Sequence, residues 1–121
     1  MASADAINQL AHETVGVTGV LVSLTMPLVL SSTGAQQRDN DGNLMRYTPH
    51  KAIIRNSGAQ PVRWASGRET ASPITGAYLG AGETLNFMDS GTDYFGVLNT
   101  MSFIRDVSAT ADSAIDITYF G

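Results

Sequence analysis

Only a few residue types in this chain could carry chemistry, and their spacing argues against most of it. The two histidines, His12 and His50, stand far apart, and neither lies in an H-E-x-x-H or similar metal-binding spacing. No serine sits in G-x-S-x-G or S-x-x-K, so a hydrolase nucleophile has no local signature. With no cysteine there is no thiol nucleophile, thiolate metal site or disulfide framework. The stretch RDNDGN, residues 38–43, places Asp39 and Asp41 two apart, as at the start of a Ca²⁺ loop. Leu44, Met45 and Tyr47 follow where further oxygen ligands belong, and no Glu closes the loop, so an Asp-Gly turn is the simpler reading. GAYLGAGE, residues 76–83, lacks the Lys of a phosphate loop, and Glu83 would repel a phosphate. Gly80 and Gly82 are therefore expected to be turn residues with positive φ. Trp64 beside Arg63 could stack on a sugar. Neighbours on a strand point to opposite faces, however, which puts Trp64 in the core and Arg63 outside. The chain is expected to be no enzyme and to need no cofactor or metal.

The elements around these residues are mostly short and extended. Residues 2–14 are the best helix candidate, with Ser3 or Asp5 as cap and Ile7 and Leu10 on one face. A helix this short is marginal alone, so the segment is expected to dock as an arm, with Ile7 and Leu10 as contacts. From Val15 onward, β-branched runs alternate with turn residues: VGVTGVLVSL, LMRYTPHKAIIRN, VRWAS, TLNFM, SFIRDVS and AIDITYF. The last would place Ile115, Ile117 and Tyr119 on one face. A polar loop, STGAQQRDNDGN, separates two of these runs, and no internal repeat is evident in the sequence. The pattern predicts an all-β domain: one β-sandwich or jelly roll of seven to eight short strands over residues 15–121, preceded by an arm or short helix over residues 1–14. Arg38, Asp39 and Asp41 in the long loop, and Arg68 in loop 66–76, complete the candidate contact residues.

Composition narrows the partners. A formal charge of −4 with a pI near 4.8 disfavours a nucleic-acid backbone as main partner. The most apolar stretch, residues 15–30, contains Gly, Thr, Ser and Pro and is too short to span a membrane as a helix. No basic start followed by an apolar run marks the N-terminus as a secretory signal, so a chain used without export is expected. Charged residues make up 15%, and Lys51 is the sole lysine against six arginines. Protein interfaces favour Arg over Lys, and Lys commonly guards exposed sheet edges. The bias therefore fits either a covered edge or face, or a genome favouring Arg codons.

Several residues in the C-terminal part carry a resemblance. Val62-Arg63-Trp64, Thr70-Ala71-Ser72, Gly76, the run Leu79 to Leu85, Phe103-Ile104-Arg105 and Ile117 to Phe120 together form a pattern that resembles small virion proteins of tailed bacteriophages. It covers roughly residues 52–121 and leaves the N-terminal part unaccounted for. The resemblance implies a non-enzymatic virion structural protein, made in the host cytoplasm and placed on the capsid surface. There it would cement the shell by binding the major capsid protein, as a dimer or trimer. Two alternatives stay open: a neck or tail component, and a carbohydrate-binding module using an exposed Trp64 and Tyr78.

Overall fold

The computed structural model describes residues 9–121. Eight strands form two four-stranded antiparallel sheets. The strands are β1 (Gln9–Val17), β2 (Val22–Ser23), β3 (Lys51–Asn56), β4 (Val62–Ala65), β5 (Ala77–Leu79), β6 (Thr84–Phe87), β7 (Ser102–Arg105) and β8 (Ser113–Phe120). One short helix, α1 (Phe95–Asn99), precedes β7. The first sheet has the order β1-β8-β3-β6 and the second β2-β7-β4-β5. The pairs β1–β8, β2–β7, β3–β6 and β4–β5 are those of one long hairpin wound around a barrel axis. Two further pairings, β3–β8 and β4–β7, close the roll. This is the winding of a jelly roll.

Alternation explains the strands. In β8, Ser113, Ile115, Ile117 and Tyr119 are buried while their neighbours are half-exposed, so one face enters the core. Ala52 and Ile54 from β3, Val62 from β4 and Phe103 from β7 meet them, and Leu98 of α1 and Met101 fill the same core. Trp64 packs against this cluster edge-on to Phe87, with ring centroids 6.0 Å apart. Arg63 points out from the other face of β4, where its guanidinium lies over the Tyr78 ring. Leu85 and Phe87 turn inward with Trp64, as alternation predicts.

The N-terminal reading needs correction. Residues 9–14 of the expected helix belong to β1, which pairs with β8 along almost its whole length. Glu13, Val15 and Val17 face inward and His12, Thr14 and Gly16 outward, a period of two that a finished ladder with β8 enforces. The sheet therefore begins at Gln9, inside the segment assigned to an arm. The earlier part of that segment, Ile7 included, lies outside the described residues. The glycine turn also differs in detail: Gly82 has φ +79°, whereas Gly80 has no positive φ and donates its N–H to Glu83 Oε1.

A second departure lies between β2 and β3, where residues 27–47 repeat every eight positions in backbone geometry. Gln37 N–H donates to Val29 O, Met45 N–H to Gln37 O and Val29 N–H to Met45 O, closing a three-membered ring of hydrogen bonds. A second set has the same period: Ser31 N–H to Ala35 O, Asp39 N–H to Asn43 O and Tyr47 N–H to Pro27 O. The corners match as well. Ser31 Oγ accepts from the N–H groups of Thr33 and Ala35, and Asp39 Oδ1 accepts from those of Asp41 and Asn43. Gly34 and Gly42 follow with φ +86° and +83°, a conformation that suits Gly. The polar stretch is thus a compact triangular module with its own hydrogen-bond closure.

Candidate interaction end

The winding of a jelly roll sends alternate connections to opposite ends, and here the two ends differ sharply. At one end the connections are short: residues 18–21, 57–61, 80–83 and 106–112. Asn56 ties this end together without exposing a polar atom. Its Nδ2 donates to Gln60 O (2.8 Å) and Leu79 O (3.1 Å), and its Oδ1 accepts from Gly58 N–H and Ser113 Oγ. At the other end are residues 24–50, 66–76 and 88–101, connections of 27, 11 and 14 residues. Hydrogen bonds join these three: Leu24 N–H to Met101 O (2.8 Å), Tyr94 N–H to His50 O (2.8 Å) and Gly67 N–H to Thr100 Oγ1 (2.7 Å).

Each long connection is locked in place yet carries exposed side chains. Loop 66–76 lies across the outer face of the second sheet. Ala71 is buried there with Ala65 and Ile104, and its N–H donates to Ser102 Oγ. Val107 N–H donates to Pro73 O further along. Ser72 and Thr75 exchange backbone hydrogen bonds across the tip, which leaves Ile74 70% exposed. Gly76 closes the loop at φ +97°, where a Cβ would lie 2.7 Å from Trp64 O, so only Gly fits. In the triangular module, Leu30 and Met45 are exposed. In the third connection, Lys51 Nζ donates to Asp89 O and Thr92 O, and His50 Nδ1 lies 2.8 Å from Asp93 Oδ1. The Phe95 N–H, and then His50, hold the Asp93 carboxyl below its usual range.

Of the residues singled out in the sequence, Arg38, Asp39, Asp41 and Arg68 all fall on connections of this end. Their roles differ. Arg38 donates to Gly42 O (2.8 Å) and Asp39 fixes the corner after it, so both build the Asp-Gly turn. Asp41 and Arg68 are exposed, and Arg68 has no hydrogen bond or ion pair among the described residues. Leu10 is half-buried on β1 and packs against the core edge, away from the role in an amphipathic helix given to it above. Sequence reasoning missed α1 and the apolar tips Leu30, Met45 and Ile74. Isolated apolar residues in polar loops were the available signal.

The chemistry is sparse. Among the described residues no three His, Asp or Glu side chains converge as metal ligands, and no helix is long and apolar enough to cross a membrane. A shallow cleft of about 290 Å³ opens between Trp64, Ser66, Glu69, Thr75 and Gly76. Trp64 lines it as a half-buried side chain, and among the described residues its buried indole Nε1 has no hydrogen-bond partner. No protein-family model, curated protein or solved structure matches the chain.

Proposed function

We propose that this protein is a non-enzymatic structural component of a phage virion that binds the major capsid protein through its long-loop end and cements the shell. The observation that carries the reading is the clustering of three long, hydrogen-bonded connections at one end of a jelly roll whose other end is trimmed to short turns. Binding surfaces concentrate on loops held by a rigid scaffold. Preordered loops lose little conformational entropy on docking. Exposed Leu30, Met45 and Ile74 supply apolar anchors, and Arg68 a guanidinium free to pair with a carboxylate or carbonyl. Many copies, each bridging neighbouring shell subunits, would add modest contacts into a large stabilisation. Jelly rolls occur in viral capsid and lectin domains alike, so the fold is compatible with the reading without deciding it. The resemblance of residues 52–121 to small phage virion proteins adds the identity of the partner.

The test is the copy number of this chain in purified particles of its source phage, measured by quantitative mass spectrometry against the major shell protein. Hundreds of copies are expected. A count near that of a single ring would move the protein to the neck or tail, and its absence from particles would overturn the virion reading.

A further inference from the structure

The edges of the two sheets are unequal. β2, β5 and β6 have two, three and four residues, short in the way natural edge strands are kept short. β1 has nine, with no Pro, Lys or Arg, and lies at the edge of the first sheet. Its free backbone groups follow from the ladder. Asn56 N–H donates to Glu83 O, so even-numbered residues of β3 bond to β6 and odd-numbered ones to β8. Ser57 N–H donating to Ala114 O agrees. Even-numbered residues of β8 therefore face β3 and odd-numbered ones face β1. On the regular part of β1 the odd residues bond to β8, so the N–H and C=O groups of His12, Thr14 and Gly16 point away from the sheet. Among the described residues no strand pairs with β1 on that side. Beside this edge runs a cleft of about 540 Å³, lined by apolar Met26, Pro27, Leu28 and Leu30 together with polar groups that include Glu13 and Arg46.

We propose that a second copy of this chain completes the edge, β1 against β1 in antiparallel register with Thr14 on the two-fold axis. Three features select the occupant and the register. An edge strand pairing with its own copy is isologous, so one patch serves both partners. Centring on Glu13 would set two carboxylates directly opposite, which is unfavourable, whereas centring on Thr14 sets Glu13 against Val15 of the other copy. Centring on His12 would draw in the Gln9/Ala11 irregularity and oppose two histidines. The Thr14 register uses the regular part of the strand. It supplies about six backbone hydrogen bonds from His12, Thr14 and Gly16. It also brings Val15 of the second copy beside the apolar wall of the cleft. The strand edge belongs to β1, while the cleft wall beside it, Met26 to Leu30, belongs to the first long connection, so the seam adjoins the long-loop end; the proposal does not depend on the virion reading.

The full chain, which has no cysteine of its own, makes the test direct. Sedimentation of the wild type across about 10–100 μM is expected to show a concentration-dependent shift from one chain mass to two. Thr14→Cys should form an intermolecular disulfide under mild oxidation, since hydrogen-bonded antiparallel pairs have Cα atoms about 5.5 Å apart. Asn86→Cys on β6 should not. Thr14→Lys, which opposes two ammonium groups across the axis, and Thr14→Pro, which removes an outward N–H, should both leave a folded monomer. The far-ultraviolet spectrum checks the fold. A wild type that stays monomeric to about 1 mM would overturn the proposal. So would a dimer that survives both Thr14 substitutions. A monomer in which the amides of His12, Thr14 and Gly16 resist hydrogen exchange would also overturn it, by showing that the chain's own residues 1–8 cover the edge.

Discussion

Asp106 ties the outer face of the second sheet to the turn after β7, and replacing it with Asn isolates the charge without opening a cavity. Its carboxylate is almost fully buried. Oδ2 accepts from the Ser108 hydroxyl (2.6 Å) and the Ser108 N–H (2.9 Å), and Oδ1 accepts from Arg63 Nε. These partners, Ser108 first and Arg63 after, hold the carboxyl down at about 2. A hydrogen bond to a charged group contributes about 1.5–3 kcal/mol, but the contributions are not additive. The exposed Ser108 and the partly exposed Arg63 can recover water when the charge is lost. Asp106→Asn is therefore expected to cost about 2–3 kcal/mol near neutral pH, or roughly 8–12 °C in Tm for a domain of this size. Thermal and urea denaturation followed by the fluorescence of Trp64 would measure it.

The pH dependence sharpens that test. Because the folded carboxyl sits below its ordinary value of 3.8, its stabilisation is complete above that value and is lost as pH falls through about 2. The gap between wild type and Asp106→Asn should narrow over that window. A second substitution, Arg63→Met, should couple to the first by about 1 kcal/mol. A gap below about 0.5 kcal/mol near neutral pH, or one that does not change down to about pH 2, would refute the reasoning.

Trp64→Ala should cost about 3 kcal/mol, because the indole packs on Phe87 and the core. Trp64→Phe should cost under about 1.5 kcal/mol, because the buried Nε1–H has no partner to lose; equal losses in urea melts would contradict this. Iodide should quench Trp64 only weakly. Gly76→Ala should destabilise by about 2 kcal/mol or more, since φ +97° and the contact with Trp64 O both oppose a side chain; an unchanged Tm would mean that loop 66–76 can shift freely. An arm that only docks on a partner could lose residues 1–12 with little change in stability. With residues 9–12 in β1, that deletion cuts the ladder to β8 and should lower Tm by several degrees. Calorimetry of the truncated chain would show it.

Local chemistry explains what could be read in advance. Strand periodicity is written in the chain wherever one face is buried: Ile115, Ile117 and Tyr119 alternate with Ala114, Asp116 and Thr118, and a sheet covered on one side allows no other pattern. Asp39-x-x-Gly42 specified its turn because a carboxylate two residues from a backbone N–H closes the bend by itself. Ser31-x-x-Gly34 is the same device with a hydroxyl, and the eight-residue step between the two was the visible trace of the triangular module. Its third segment, ending at Tyr47, has no such turn and hid the period.

The chain by itself determined the all-β class, the inward set of apolar residues and the glycine turns, since these depend on neighbours one to four positions away. Tertiary structure decided the rest. Gln9 to Thr14 carry helix-compatible residues, and only pairing with β8, about a hundred positions along, makes them a strand. The gathering of Arg38, Asp41, Arg68 and Ile74 at one end, and the row of outward-pointing amides on β1, arise from how a long hairpin is wound. That winding joins residues whose separation in sequence leaves no periodic signal.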